Sequence, residues 1–173
     1  RSLQTHDCDI KGITISDAQY AYATQRMAGK AEIVSEDYRT QTGLYDHIVS
    51  IEMFEAVGEA YWQTYFSKLR SLLKIGGKAM IQTITIADDK FAAYRNGSDV
   101  IRSMIFPGGM LPSQSRFQQE ALKAGFKTTD VFDFGQDYAR TLEIWLANFE
   151  RRQNAVSALG YDDKFIRMWR FYL

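Results

Sequence analysis

Carboxylates and amides placed where strands end are the residues of this chain that could do chemistry. Glu52 directly follows the apolar run Tyr45 to Ile51, and Glu55 stands three positions later. Thr14, Ile15 and Gln19 follow an earlier β-rich run, and Asp37 with Tyr38 follows a third. Gln82 lies inside an apolar, β-branched stretch, where a buried amide must find hydrogen-bond partners. Taken singly, most of these residues have plain structural readings. Glu55 is a helix-start carboxylate favoured by the helix dipole, Asp37 a loop carboxylate, and Tyr138 one of ten tyrosines. Together they sit where a doubly wound sheet binds ligands, outside the carboxyl ends of its strands.

The elements that must position them alternate short β-rich runs with helical ones, which argues for a parallel α/β sheet. Asp9 to Ile15 is predicted as the first strand. Ser16 and Gln19 then stand in capping-box spacing ahead of a helix reaching about Ala28. Ile33 to Ser35 reads as a second strand and Tyr45 to Ile51 as a central one covered on both faces. Trp62, Tyr65, Phe66, Leu69, Leu72 and Leu73 recur at three- and four-residue steps, so Glu59 to Leu73 is predicted as a helix buried along one face. Gly76 and Gly77 are expected to stop it, before a strand over Lys78 to Ile86 with Gln82 and Ile84 on one face. Residues 88 to about 112 look like a helical insertion, ending in a turn bracketed by both prolines, Pro107 and Pro112. Ser113 to Ala124 reads as a helix and Phe126 to Phe134 as a strand. Leu142, Trp145, Leu146 and Phe149 mark one face of a last long helix.

Composition narrows the partners. Lys plus Arg and Asp plus Glu number 21 each in 173 residues, so no global field draws the protein to nucleic acid or an anionic membrane. The single cysteine, Cys8, excludes an internal disulfide and reads as a small core residue in a reducing, cytoplasmic compartment. His6 and His47 lack partners at metal spacing and read as structural.

Five stretches in order carry a family resemblance: Gly12-Ile13-Thr14-Ile15-Ser16 with Gln19; Ser50 through Gly58, reading Ser-Ile-Glu-Met-Phe-Glu-Ala-Val-Gly; Gln82 to Ile86; Phe106-Pro107-Gly108-Gly109; and Asp137 to Leu142. In order and spacing the chain resembles the cyclopropane-fatty-acyl-phospholipid and mycolic acid cyclopropane synthases over nearly its whole length. The resemblance implies a Rossmann-like class I methyltransferase sheet with helices on both faces. It implies S-adenosylmethionine as cofactor and methyl transfer to the double bond of unsaturated acyl chains of phospholipids, closing a cyclopropane ring. An alkene is a poor nucleophile, so such a site must align the methyl with the double bond, exclude water and remove a proton. The family's base is taken to be a bound bicarbonate ion.

Carried over position by position, the resemblance implies Glu55, Gln82, Ile84 and Tyr138 around that base, and Thr14, Ile15, Gln19, Asp37, Tyr38 and Ser50 around the cofactor. Many relatives have histidine where Gln82 stands; an amide can donate to an anion but cannot relay its proton. Glu52 is the rival carboxylate, nearer the strand end. Phe106 to Gly109, with Met104, Ile105, Met110 and Leu111, is expected to belong to a lid over the acyl site. The family's glycine-rich cofactor turn has no counterpart before Asp9, so the chain is expected to be incomplete at both ends, with Arg1 to His6 the tail of a helix. Alone it is expected to be inactive and to bind cofactor poorly. Peripheral contact with the inner membrane face and homo-oligomerisation fit this reading. Methylation of another small molecule, and a non-catalytic lipid- or partner-binding module, remain as alternatives.

Overall fold

The computed structural model describes residues 7–173, so the expected helix tail at Arg1 to His6, and His6 itself, lie outside the described residues. Strand β1 (Lys11–Thr14) pairs in parallel with β2 (Glu32–Ser35) through helix α1 (Asp17–Met27). Strand β3 (Tyr45–Ile51) pairs in parallel with β4 (Leu73–Gln82) through α2 (Trp62–Leu72). The α/β class and the parallel crossovers agree with the sequence reading. Among the described residues the strands form these two ladders with no hydrogen bonds between them, rather than one continuous sheet.

Ser16 caps α1 by accepting the Gln19 N–H at 3.3 Å. The reciprocal half of the box is absent, because the Gln19 side chain takes the Thr14 hydroxyl instead, at 2.8 Å. Helix α2 buries Trp62, Tyr65, Phe66, Leu69 and Leu72, as the spacing predicts. Its end differs from expectation. The chain is already extended at Leu73, and Gly76 and Gly77 lie within β4, where the register against β3 shifts between Tyr45 and His47. Gly77 is required there, since a Cβ would stand 2.8 Å from the Asp46 carbonyl oxygen.

Several expectations differ from the structure. Only the face of β3 that carries Ser50 packs on α2, so Val49 and Ile51 on the other face are 61% and 57% exposed. Strand β4 ends at Gln82; Ile86 makes one isolated parallel bridge to Ser113. Residues 126–134 form no strand, because no neighbouring ladder offers them donors and acceptors, and Phe132 is 78% exposed. Cys8 is exposed rather than in the core. Trp145 also lies open, 47% exposed, while Leu142, Leu146 and Phe149 beside it on α5 (Gly135–Arg151) are half-buried.

The segment after β4 is helical as expected, with α3 (Asp88–Asn96) and a wide π turn at Ile101–Ile105. Helix α4 (Gln114–Lys123) follows, capped by Ser113, and the chain closes with α6 (Gln153–Ala158) and α7 (Asp163–Tyr172). The core gathers Phe54, Trp62, Tyr65, Phe66, Leu69, Met110 and Ala121. No helix among the described residues is long and apolar enough to cross a membrane.

Candidate active site

Phe54 is the anchor from which the site is built. Fully buried, it lies 5.0–5.5 Å, ring to ring, from Trp62, Tyr65, Phe66 and Phe117. The short 3-10 turn Phe54–Ala56 therefore cannot slide, and the next side chain, Glu55, is aimed at the segment just after β4. One Glu55 oxygen accepts the Ile84 N–H at 2.5 Å, while the other, Oε2, is buried without a hydrogen-bond partner. The Glu55 carbonyl accepts the Met110 N–H at 2.9 Å, which ties the proline-bracketed loop to the same turn. Pro112 is itself buried, and its carbonyl accepts the Ile86 N–H at 2.9 Å.

Gln82 donates through Nε2 to Glu52 at 3.0 Å, and the Glu52 N–H donates to the Gln82 carbonyl at 3.0 Å. Tyr138 comes to the same place from α5. Its burial, then the hydrogen bond and charge of Glu52, with smaller contributions from Tyr172 and Glu55, push its hydroxyl up to about 12. Tyr172, on α7, is also raised, by burial first and then by Glu52. The structure thus brings Glu55, Gln82, Ile84 and Tyr138 together, on one side of the molecule. Sequence reasoning missed Tyr172, which no motif marked, and weighed Glu52 only as the rival of Glu55 for the catalytic carboxylate.

The residues assigned to the cofactor divide into groups. Thr14 and Gln19 meet at the end of β1, where the Thr14 hydroxyl also accepts the Ser16 N–H at 3.1 Å. Ile15 beside them is 79% exposed. Asp37 is gripped by Arg39, whose Nε and Nη2 reach its oxygens at 2.9 and 2.6 Å and whose N–H adds a third bond at 2.8 Å. Those bonds hold the Asp37 carboxyl down at about 2. Sequence reasoning did not name Arg39, although the Asp-x-Arg spacing is a signal that could have found this clamp. Tyr38 is half-buried with its ring edge-on to Tyr65, centroids 5.7 Å apart. Ser50 is buried below them and accepts the Tyr65 hydroxyl at 2.8 Å. Burial above all raises Tyr65 to about 12, so it stays a donor. Of the residues expected to form a lid, Met104 and Phe106 are half-exposed while Met110 belongs to the core. Among the described residues no group of His, Cys, Asp and Glu could hold a metal ion.

Comparison with known proteins shows the family of the chain. The chain is 38% identical over 170 residues to the tuberculostearic acid methyltransferase of Mycobacterium tuberculosis, which covers 95% of this chain and 40% of that protein. It is 34% identical over 169 residues to the cyclopropane-fatty-acyl-phospholipid synthase of Escherichia coli K12, covering 97% of this chain and 43% of the relative. The chain therefore spans less than half the length of these relatives. A mycolic acid cyclopropane synthase solved with SAH and CTAB superposes with a TM-score of 0.88 at 27% identity, over 99% of this chain and 65% of that one. The profile of the mycolic acid cyclopropane synthetase family matches residues 1–173, and the chain belongs to that family.

Proposed function

We propose that the protein transfers a methyl group from S-adenosylmethionine to the double bond of an unsaturated fatty acyl chain, carried on a phospholipid, and closes a cyclopropane ring. The observation that carries this reading is Glu55, fixed by the Ile84 N–H and left with a buried oxygen that has no donor. A buried, unsatisfied acceptor costs stability unless a ligand satisfies it. A ligand bearing an O–H fits that atom, and bicarbonate is such a ligand. When bound, S-adenosylmethionine supplies an electrophilic methyl on its sulfonium, and bicarbonate a weak base. The family membership and the relatives' names support the same assignment.

The chain's own residues divide the work. Thr14 turns the Gln19 amide so that its oxygen is occupied and its N–H donors are left for ribose hydroxyls. Ile15 offers an open apolar surface beside them, and Asp37 keeps its charge through Arg39 while its remaining lone pairs can meet an amino group. Tyr138, held protonated, stands beside the site as a neutral hydroxyl whose one hydrogen goes to Glu52 and whose oxygen can still accept. Glu55 Oε2 can accept and hold a proton delivered from a bound O–H. Half-exposed Met104 and Phe106 give the 88–112 segment an apolar rim suited to an acyl chain, so this segment is assigned as the insertion that forms the lid.

Cells expressing the intact protein should accumulate cyclopropane or methyl-branched acyl chains, read by mass spectrometry of their lipids. Glu55→Gln should cut turnover by about 10²–10⁴ and leave cofactor affinity nearly unchanged. Cofactor binding without acyl products would move the function to another small molecule. Absence of cofactor binding would favour a binding module instead.

A further inference from the structure

Glu52 is one of the described non-glycine residues with a positive φ, at 50°; the other, Ala28, at 47°, ends a helix, where that conformation is routine. A glutamate in the left-handed region costs free energy that glycine would not. Nothing in the backbone requires a side chain here, since the tie to β4 runs through the Glu52 N–H, which any residue other than proline provides. What the side chain does is specific. A carboxylate only accepts hydrogen bonds, so the Gln82 amide must turn its nitrogen towards Glu52 and its oxygen away. The same carboxylate acts on Tyr138 as hydrogen-bond partner and charge, and on Tyr172 as charge.

We infer that Glu52 is a positioning residue, which fixes the facing of the Gln82 amide and the placement of the Tyr138 hydroxyl around the Glu55 site at the expense of local backbone strain. This rests on the methyl-transfer reading of that site. With one amide hydrogen spent on Glu52, Gln82 presents its carbonyl oxygen and a single N–H to whatever binds beside Glu55. A histidine at position 82 would offer a different set of donors and acceptors to the Glu52 carboxylate.

The test compares the parent protein with Glu52→Gly and Glu52→Gln. Glycine relieves the strained φ and removes the side chain, so a residue without a positioning role would give a melting temperature at or above the parent's and full turnover. The positioning role predicts the same melting behaviour with turnover lowered roughly 10-fold or more, about the worth of one lost hydrogen bond to a charged group. Glu52→Gln keeps an acceptor for the Gln82 amide and should recover part of that loss. Independently of turnover, the Tyr138 titration, followed by NMR of its ring carbons, should fall in Glu52→Gly yet stay raised, because burial is the larger cause and remains, and the Gln82 side-chain amide signals should move. Unchanged turnover in Glu52→Gly overturns the inference. So do unchanged Tyr138 and Gln82 signals. Full activity of Glu55→Gln, or no acyl product from the parent, would instead remove the methyl-transfer reading, and the two NMR signals would still decide whether Glu52 positions its neighbours.

Discussion

Phe54 couples the stability of this fold to the geometry of its site, so Phe54→Ala is the most informative core substitution. The side chain is fully buried and faces four aromatic rings with centroids 5.0–5.5 Å away. Replacing buried Phe by Ala typically costs about 3–5 kcal/mol, with the larger losses where surrounding groups cannot collapse into the space. Here the neighbours belong to α2 and α4 and are rings themselves, which cannot reshape to fill the void. The expected loss is therefore at the upper end, about 4–5 kcal/mol, a large share of the roughly 5–15 kcal/mol of a whole domain. With a urea m-value of about 2 kcal/mol per molar, the unfolding midpoint should drop by about 2 M. Phe132→Ala, at a residue 78% exposed, should stay within about 0.5 kcal/mol of the parent. A midpoint shift below roughly 0.5 M for Phe54→Ala would show that the aromatic cluster does not hold the Glu55 turn, and would refute the anchoring argument.

Other outcomes follow from particular contacts. Asp37 has a carboxyl depressed from 3.8 to about 2 by Arg39, so its contribution to stability is present above pH 4 and is lost as pH falls towards 2. The stability gap between parent and Asp37→Asn, measured by urea unfolding, should be open at neutral pH and close over that window; a gap independent of pH would dismiss the clamp. Gly77→Ala drives a Cβ to 2.8 Å from the Asp46 carbonyl oxygen and 3.0 Å from that of Lys74, both backbone atoms. It should cost about 1–3 kcal/mol in thermal unfolding, and a neutral result would mean that β3 and β4 can shift register freely.

Wherever a local pattern decides structure, the sequence was readable. The α2 stripe from Trp62 to Leu72 named its buried residues, and Ser16 named the cap of α1. The motifs placed Glu55, Gln82, Ile84 and Tyr138 in one neighbourhood although they come from separate elements. What pattern could not show depends on partners remote in sequence. Residues 126–134 have strand-like composition, yet a strand exists only against another strand. Gly76 and Gly77 have the chemistry of a helix stop, but the paired β3 draws Leu73 into β4 first. Gln19 satisfies a capping box on paper, and the Thr14 hydroxyl, at 2.8 Å, outcompetes the backbone N–H for it. The role of Glu52 needed a dihedral angle, which composition does not contain.

Residue 55 is held by two separate parts of the chain, its carbonyl by the Met110 N–H and its carboxylate by the Ile84 N–H. Those two amides are consequently reporters for opposite ends of one residue. Slow hydrogen exchange at Met110 measures how long the proline-bracketed loop stays docked, and exchange at Ile84 measures how long the acid stays aimed. Both bonds meet in a single turn, so whatever free energy couples docking of the loop to the aim of the carboxylate acts equally in both directions. Comparing the two exchange rates with and without a ligand measures that coupling from either side.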